Sequence, residues 1–205
     1  MDLGIWSVFV AACVVFSLAP GAGTIASINN SMMGGLKSAL QGLIGLQLAL
    51  ALHIIIVSCG LGALLASSAV FFEVVKYTGA AYLIYLGIKK WRDKGMLDIQ
   101  GAANVKGYSK LIKQGFVVNL MNPKSIVFLA AFLPQFISTQ QPLFEQYSIL
   151  GLTVVSIDSL VMLGYALLGV FMKPYLTSQK IMEFVNKTFG TLFIGMGIAL
   201  SRAEA

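Results

Sequence analysis

The sequence predicts an all-α integral membrane protein in which six transmembrane helices form two inverted three-helix repeats. Of its 205 residues, 58% are hydrophobic and 11% are Asp, Glu, Lys or Arg, whereas soluble domains carry about 25% charged residues. The mean hydropathy of +0.85 agrees with this class. Six apolar segments are long enough to cross about 30 Å of hydrocarbon at roughly 1.5 Å per helical residue. We therefore expect a single transmembrane domain over residues 1–205.

The six helices follow from the apolar runs between charged or proline-containing stretches. We place them at residues 3–26, 38–66, 70–90, 115–137, 147–171 and 186–202. Residues 27–37, which include Asn29-Asn30-Ser31, are then a connecting loop. The first run lacks the basic region that opens a cleavable signal peptide, so we expect it to be retained as a span.

The distribution of basic residues predicts the orientation. Seven of the fourteen lysines and arginines lie from the end of the third span to the start of the fourth, at Lys89, Lys90, Arg92, Lys94, Lys106, Lys110 and Lys113. Such an excess marks a cytoplasmic loop. With the loop at about 91–114 in the cytoplasm, six spans place both termini outside the cytoplasm. The charge therefore favours contact with the lipid bilayer and not with nucleic acid.

The two halves of the chain, about 1–90 and 115–205, share features in the same order. Pro20 and Pro123 each interrupt the first span of a half, and His53 and Asp158 each lie midway along the second. Each half has three spans, an odd number, so the second half enters the membrane in the opposite sense. This pattern is typical of inverted-repeat transporters.

The prolines predict helix breaks. Pro20-Gly21 lies late in the first span, and Asn122-Pro123-Lys124 lies within the fourth, three residues after Asn119. Proline removes a backbone donor and clashes with the preceding turn, and the freed backbone groups must be covered by protein or by a water-filled cavity. Transporters use such breaks to direct helix ends at substrates. An ordinary proline kink is the alternative.

Ionisable residues within apolar spans predict a transport pathway. A charge at bilayer depth costs roughly 2.5 to 3.5 kcal/mol even on the translocon scale, yet the chain retains Asp158 and its single histidine, His53. Tyr165 shares a helix face with Asp158, and Gln47 lies one to two turns before His53. We expect these four residues to line a pathway for substrate and protons. The alternative is a buried hydrogen-bond network that only fixes helix packing.

Lys124 has two interpretations. Its stem could lie in hydrocarbon while its ammonium group reaches the cytoplasmic interface. It could instead bind a substrate carboxylate beside a broken helix, with the amides of Asn119 and Asn122 nearby. The sequence leaves both open.

Other chemistries have little support in the sequence. Cys13 and Cys59 lie in separate apolar segments without a Cys-x-x-Cys pair, so we predict no metal centre, no cofactor and no enzymatic activity. Two alternatives to amino-acid transport remain, an exporter of divalent or heavy-metal cations and a non-transport membrane assembly factor. Pairs of small residues four apart, such as Gly45 and Ala49, suit packing within the bundle or a homodimer.

Several motifs resemble the lysine-exporter (LysE/RhtB) superfamily, in its homoserine/threonine-exporter branch. They are Pro20-Gly21, Gly34-Gly35-x-x-x-Ala39, the run GAAYLIYLG at 79–87, Gly115-Phe116-x-x-Asn119-x-x-Asn122-Pro123-Lys124, and Phe132-Leu133-Pro134-Gln135-Phe136. The resemblance covers nearly the whole chain. It implies a six-span inner-membrane secondary transporter that exports amino acids or related small metabolites by proton antiport. The family usually has Pro-Gly-Pro in the first span, whereas Ala22 follows Gly21 here.

Overall fold

The protein is helical throughout the part of the chain that can be described. A computed structural model describes residues 3–65, 69–93, 108–138, 140–171 and 179–202, without the side chains of 61–65, 69–72 and 75. Within these ranges it is 93% helix and has no strand. The all-α class is therefore confirmed. The basic segment at 94–107 lies outside the described residues.

Within the described residues, seven α-helices follow one another. They are α1 (Leu3–Leu18), α2 (Ala22–Leu65), α3 (Ala69–Arg92), α4 (Tyr108–Leu120), α5 (Pro123–Phe132), α6 (Leu143–Phe171) and α7 (Gln179–Arg202). A 3-10 turn over Leu133–Phe136 extends α5.

The helices are those of a membrane protein. Ala22–Gly60, Leu143–Phe171 and Gln179–Arg202 are each long and apolar enough to cross a bilayer, and α4 with the extended α5 makes a fourth candidate that is bent by 54°. Large apolar side chains such as Phe144 and Phe171 are 87% and 77% exposed, which suits a lipid-facing surface. Among the described residues, three helices match predicted spans by length and composition, or four if α4 and α5 together form one bent span. α1 and α3 lie at the positions of the other two predicted spans.

Three helices begin earlier than predicted. α4, α6 and α7 start at Tyr108, Leu143 and Gln179, where the apolar pattern placed 115, 147 and 186. The first turns of α4 are amphipathic, because Leu111 is buried while Tyr108 and its neighbours are exposed. Hydropathy finds the apolar core of a helix and misses such polar extensions.

The loop predicted at residues 27–37 was wrong over most of its length. The first part of α2, residues 22–33, is helical, and its polar residues Ser27 and Asn29 are buried. The helix is interrupted at Gly34 and Gly35, where Gly35 has a φ of 68°, a conformation that glycine adopts without a steric penalty. We call residues 22–33 the gate segment and 36–65 the long segment of α2. The polar side chains of this segment predicted a loop. They are compatible with a membrane helix because they face neighbouring parts of the protein and not lipid.

Glycines bring the helices into close contact. A Cβ atom at Gly115 of α4 would clash with the backbone oxygen of Gly42 on the long segment of α2, and one at Gly87 of α3 would lie 2.6 Å from the Gly190 oxygen of α7. Gly45, predicted for packing or a dimer, also lies against the backbone of α4. Small residues let helices approach in lipid, where dispersion contacts replace the hydrophobic effect.

An aromatic core fills one end of the bundle. Phe16 stacks on Phe128 with centroids 4.0 Å apart, and Phe128 stacks on Phe132 at 5.2 Å. Phe132 in turn contacts Phe136, which meets Phe9 edge to face at 5.0 Å. These five rings, here called the aromatic row, run from the helix breaks toward the start of α1.

Candidate functional site

Two helix breaks meet inside the bundle. α1 ends at Leu18 and α2 begins at Ala22, while α4 ends at Leu120 and α5 begins at Pro123. Between them lies a cavity of about 20 Å³, lined by Phe16, Gly21, Gly23, Thr24, Leu46, Asn119, Asn122, Lys124, Ser125, Asp158 and Met162. That volume holds about one water molecule. Both breaks and the middle of α6 therefore contribute to one site.

Asparagines organise the second break. Asn122 caps α5 by accepting a 3.1 Å hydrogen bond from the Lys124 amide, and Pro123 occupies the first helical position, where no N–H is needed. Asn119 donates to the Leu46 carbonyl oxygen of α2 at 2.8 Å and accepts from the Ser125 hydroxyl at 2.9 Å. The break is thus fixed to α2 by buried hydrogen bonds.

Lys124 connects the two breaks. Its Nζ donates to the carbonyl oxygens of Phe16 and Ala19 at 3.0 and 2.9 Å, and it lies 4.5 Å from the centroid of the Phe16 ring. The ammonium group therefore points into the protein, toward the last turn of α1, and does not extend toward the interface. An ammonium group has three donors, so one remains for a ligand in the cavity.

Tyr165 and His53 bind the ends of broken helices. The Tyr165 hydroxyl donates to the Leu18 carbonyl of α1. His53, 6% exposed, lies with Nε2 3.3 Å from the Leu120 carbonyl oxygen of α4. Terminal helix carbonyls have no intrahelical partner, and in lipid they need a donor from the protein. Neither side chain is among those that line the cavity with Asp158.

Asp158 forms the acceptor end of the cavity. It is 8% exposed, and its Oδ2 accepts a 2.8 Å hydrogen bond from Gln47 Nε2. The Gln47 Oε1 atom is buried without a hydrogen-bond partner. A carboxylate that lines the cavity suits an ammonium group, which carries only donors.

The start of α2 forms the donor end. The first N–H groups of a helix have no intrahelical acceptor and carry the positive end of its dipole, and here they follow Gly21 at the cavity. Lys124 adds its charge, since its Nζ would lie 3.4 Å from a Cβ at Gly21. The buried Thr24 hydroxyl also lines the cavity and has no partner. The site thus offers acceptors at one end and donors at the other, as a zwitterion requires.

The structure brings together six of the ten residues singled out in the sequence. Gly21, Asn119, Asn122, Lys124 and Asp158 line the cavity, and Gln47 contacts it through Asp158. Pro20 and Pro123 lie at the breaks themselves. Across the described ranges, no group of three or more His, Cys, Asp or Glu residues is placed to hold a metal ion.

Sequence reasoning missed Thr24, Ser125 and the gate segment. The available signal was the spacing of Thr24, Ser27 and Ser31, which places three hydroxyl side chains on one helix face. Ser125 follows the Asn-Pro-Lys motif directly. If a new helix begins at Pro123, its first turn brings the Ser125 side chain toward Asn119. The first of these signals is not visible if residues 27–37 form a loop.

Comparison with known proteins places the chain among translocators. A family model described as LysE type translocator matches residues 14–204. An uncharacterized membrane protein of Vibrio cholerae serotype O1 is 44% identical over 205 residues, 100% of both chains. The homoserine/homoserine lactone efflux protein of Salmonella typhi is 43% identical over 97% of each chain. The leucine efflux protein of Salmonella choleraesuis is 29% identical, covering 99% of this chain and 97% of its own. No solved structure matches.

Proposed function

Because the chain belongs to the LysE type translocator family, we propose that it exports a small neutral amino acid across the inner membrane by proton antiport. The family is one of transporters and not of enzymes. The observation that carries the proposal is the cavity in which Asp158 and Lys124 lie together between two helix breaks. An acid, a base and a helix start in one apolar bundle form a site for a molecule with both charges.

The relatives narrow the substrate class. The name of the relative that is 43% identical specifies homoserine and its lactone, and that of the relative at 29% specifies leucine. Both are neutral amino acids or their derivatives, which favours an amino acid over a metal cation. We expect the ammonium group to bind Asp158 and Gln47, and the carboxylate to bind Lys124 and the start of α2.

Asp158 is the proposed proton carrier. It is the one carboxylate in the apolar middle of α6, and it lines the cavity in which we place the substrate ammonium group. Proton and ammonium group then compete for the same oxygen atoms, so that release of one favours binding of the other. This competition at one site couples the export of the amino acid to the opposite movement of protons.

The two halves of the chain supply each other's break with donors. Lys124 and Tyr165 bind carbonyls of α1, and His53 binds a carbonyl of α4. This reciprocity supports an arrangement of six spans as two inverted repeats, with α1 and the gate segment as the first broken span and α4 and α5 as the second. The basic loop would be cytoplasmic and both termini extracytoplasmic.

Export by cells tests the proposal. Cells that over-produce the wild type or Asp158→Asn are compared by the amino-acid profile of their medium. We expect homoserine or a similar neutral amino acid to accumulate outside only with the wild type. In inside-out vesicles, uptake of the same amino acid should require an imposed proton gradient. A profile that is the same for the wild type, Asp158→Asn and cells without the protein would overturn amino-acid export.

A control separates the charge of Asp158 from general damage. Glu183 lies on the exposed side of α7, where it pairs with Lys187 at 2.9 Å. We expect Glu183→Gln to export like the wild type. If Asp158→Asn still exports with unchanged dependence on the proton gradient, Asp158 is not the proton carrier.

A further inference from the structure

The gate segment is a short helix between two interruptions. Pro20 and Gly21 separate it from α1, and Gly34 and Gly35 separate it from the long segment of α2. Gly34 and Gly35 have non-helical backbone angles and residues 19–21 are not helical, so we expect the twelve residues from 22 to 33 to move as one unit about both ends. Hinges of this kind lie at element ends that absorb changes in φ and ψ.

The buried face of the gate segment is polar and incompletely bonded. Thr24 and Ser27 lie on this face and are at most 2% exposed, and neither hydroxyl oxygen has a hydrogen-bond partner among the described residues. Asn29, on the opposite side of the helix, is 1% exposed, and its two amide atoms also lack a partner there. Buried polar groups are normally bonded, so this face is better suited to contact with water or a polar ligand than to a permanent seal.

This face connects the cavity with one end of the bundle. Thr24 lines the cavity, and the face continues through Ser27 to Ser31, about 10 Å along a helix that rises roughly 1.5 Å per residue. Beyond it residues 33–37 are exposed. That end is also where α4 begins after the basic loop, because Gly42 packs against Gly115 of α4.

The other end of the bundle is sealed differently. Phe16 lines the cavity and begins the aromatic row, in which Phe9, Phe16 and Phe128 are at most 2% exposed. The rings of the aromatic row pack directly on one another, and in the core around them the Tyr147 hydroxyl is a buried polar group without a partner among the described residues. An amino acid would therefore meet an apolar barrier on this side and a polar surface on the other.

We propose that the gate segment opens the site toward the basic loop, and that the exported amino acid reaches Asp158 and Lys124 along the Thr24–Ser27 face. This inference rests on the proposed function of the site. The cavity must widen for any substrate, since it holds about one water molecule and ligand pockets are roughly 300–1,000 Å³. Opening at the gate segment hydrates unpaired hydroxyl groups, whereas opening at the aromatic row exposes rings to water.

Two glycines let the gate segment pack closely against α6 and the long segment of α2. The Ser31 hydroxyl lies where a Cβ of Gly169 on α6 would be, and the Asn30 amide lies where a Cβ of Gly42 would be. A Cβ at Gly169 would also approach the Ile28 carbonyl oxygen to 3.0 Å. A methyl group at Gly169 would displace the Ser31 hydroxyl and press on the Ile28 backbone, which favours outward movement of the gate segment.

Cysteine labelling tests the route. Two variants each retain one cysteine: Ser27→Cys in a chain with Cys13→Ala and Cys59→Ala, and Cys59→Ala alone, which keeps Cys13. Ser27 and Cys13 are matched in burial at 2% and 1%, but Cys13 belongs to the core that contains the aromatic row. Both are treated with a charged, membrane-impermeant thiol reagent in right-side-out and inside-out vesicles.

We expect Ser27→Cys to be modified at least tenfold faster than Cys13, and only from the side that carries the basic loop. Adding Gly169→Ala should raise the labelling rate of Ser27→Cys at least threefold. Equal slow labelling of both cysteines, or labelling of Ser27→Cys from the opposite side, would overturn the route. The readout does not depend on transport, so a failure of amino-acid export leaves it interpretable. If Gly169→Ala does not fold, the comparison between Ser27→Cys and Cys13 still decides the outcome.

Discussion

The ammonium group of Lys124 lies 2.9 Å from the carbonyl oxygen of Ala19, a residue 105 positions earlier in the chain. This contact joins the two helix breaks and fixes a positive charge at the carboxyl end of α1, where the helix dipole is negative. A cation that hydropathy alone would place at the membrane surface is thereby retained beside the cavity. Lys124 thereby caps the end of α1, and its ammonium group keeps one N–H donor for a ligand.

Replacing Lys124 by glutamine should weaken binding of the substrate carboxylate. A hydrogen bond to a charged group contributes about 1.5–3 kcal/mol, so we expect a loss of affinity of roughly tenfold or more. The measurement is competition in inside-out vesicles by the amino acid and by its methyl ester, which lacks the carboxylate. The wild type should prefer the free amino acid, and Lys124→Gln should lose that preference. The matched control is Lys187→Gln, whose exposed ion pair has little energetic effect. An unchanged ratio between amino acid and ester, with lower thermal stability, would leave Lys124 as a cap only.

Replacing Gln47 by leucine should reduce affinity for the substrate ammonium group. The change removes the donor that holds Asp158 Oδ2 at 2.8 Å and the unpaired Oε1 beside it. We expect about a tenfold increase in the concentration needed for half-maximal transport, from the loss of one charge-assisted hydrogen bond. Gln47→Glu, which places a second carboxylate next to Asp158, should impair transport further by like-charge repulsion. Normal transport by both variants would exclude Gln47 from the site.

Replacing His53 by glutamine should leave the pH profile of transport unchanged. The His53 ring is bonded to the Leu120 carbonyl and is not among the cavity residues, and glutamine retains a donor for that carbonyl. His53→Leu should instead lower the free energy of unfolding by about 1–2 kcal/mol, because the carbonyl at the end of α4 loses its partner. Transport is measured across a range of pH in vesicles. A shifted profile in His53→Gln alone would show that His53 shares the proton with Asp158.

Replacing Gly115 by alanine should destabilise the bundle. The new methyl group would meet the backbone oxygen of Gly42 and lie 3.1 Å from the Leu46 nitrogen, and backbone atoms cannot move aside as a side chain can. We expect a cost of roughly 1–3 kcal/mol, seen as a lower Tm in detergent. Gly195→Ala is the matched control, since nothing lies within 4 Å of that position. Alanine there should be neutral or slightly stabilising. Equal Tm values would contradict the close contact between α2 and α4.

The elements that hydropathy and proline chemistry describe were predictable. Apolar runs located the helices, and the prolines at 20 and 123 lie where the structure interrupts them. The family assignment from the Asn122-Pro123-Lys124 region was confirmed. Helix ends were less accurate, because α4 and α7 begin in polar turns that carry no membrane signal.

The gate segment could not be found from polarity alone. Its hydroxyl and amide side chains resemble a loop until the neighbouring helices that cover them are known. The partners of Tyr165 and His53 were hidden for a different reason, since both bind backbone carbonyls, which leave no trace in a sequence. Shared helix faces indicated that Asp158 and Tyr165 lie on one side of α6, and only the tertiary structure shows which group each side chain meets.

The exchange of caps between the two halves has a consequence for biosynthesis. When α1 emerges from the ribosome, the donors for its last carbonyls, Lys124 and Tyr165, have not yet been translated. The Leu120 carbonyl differs in this respect, because its partner His53 is translated before it. The first half must therefore enter the bilayer with an unfinished helix end, at a cost of several kcal/mol per unbonded group. We therefore expect a chain truncated after α3, which lacks these donors, to be unstable and to be degraded.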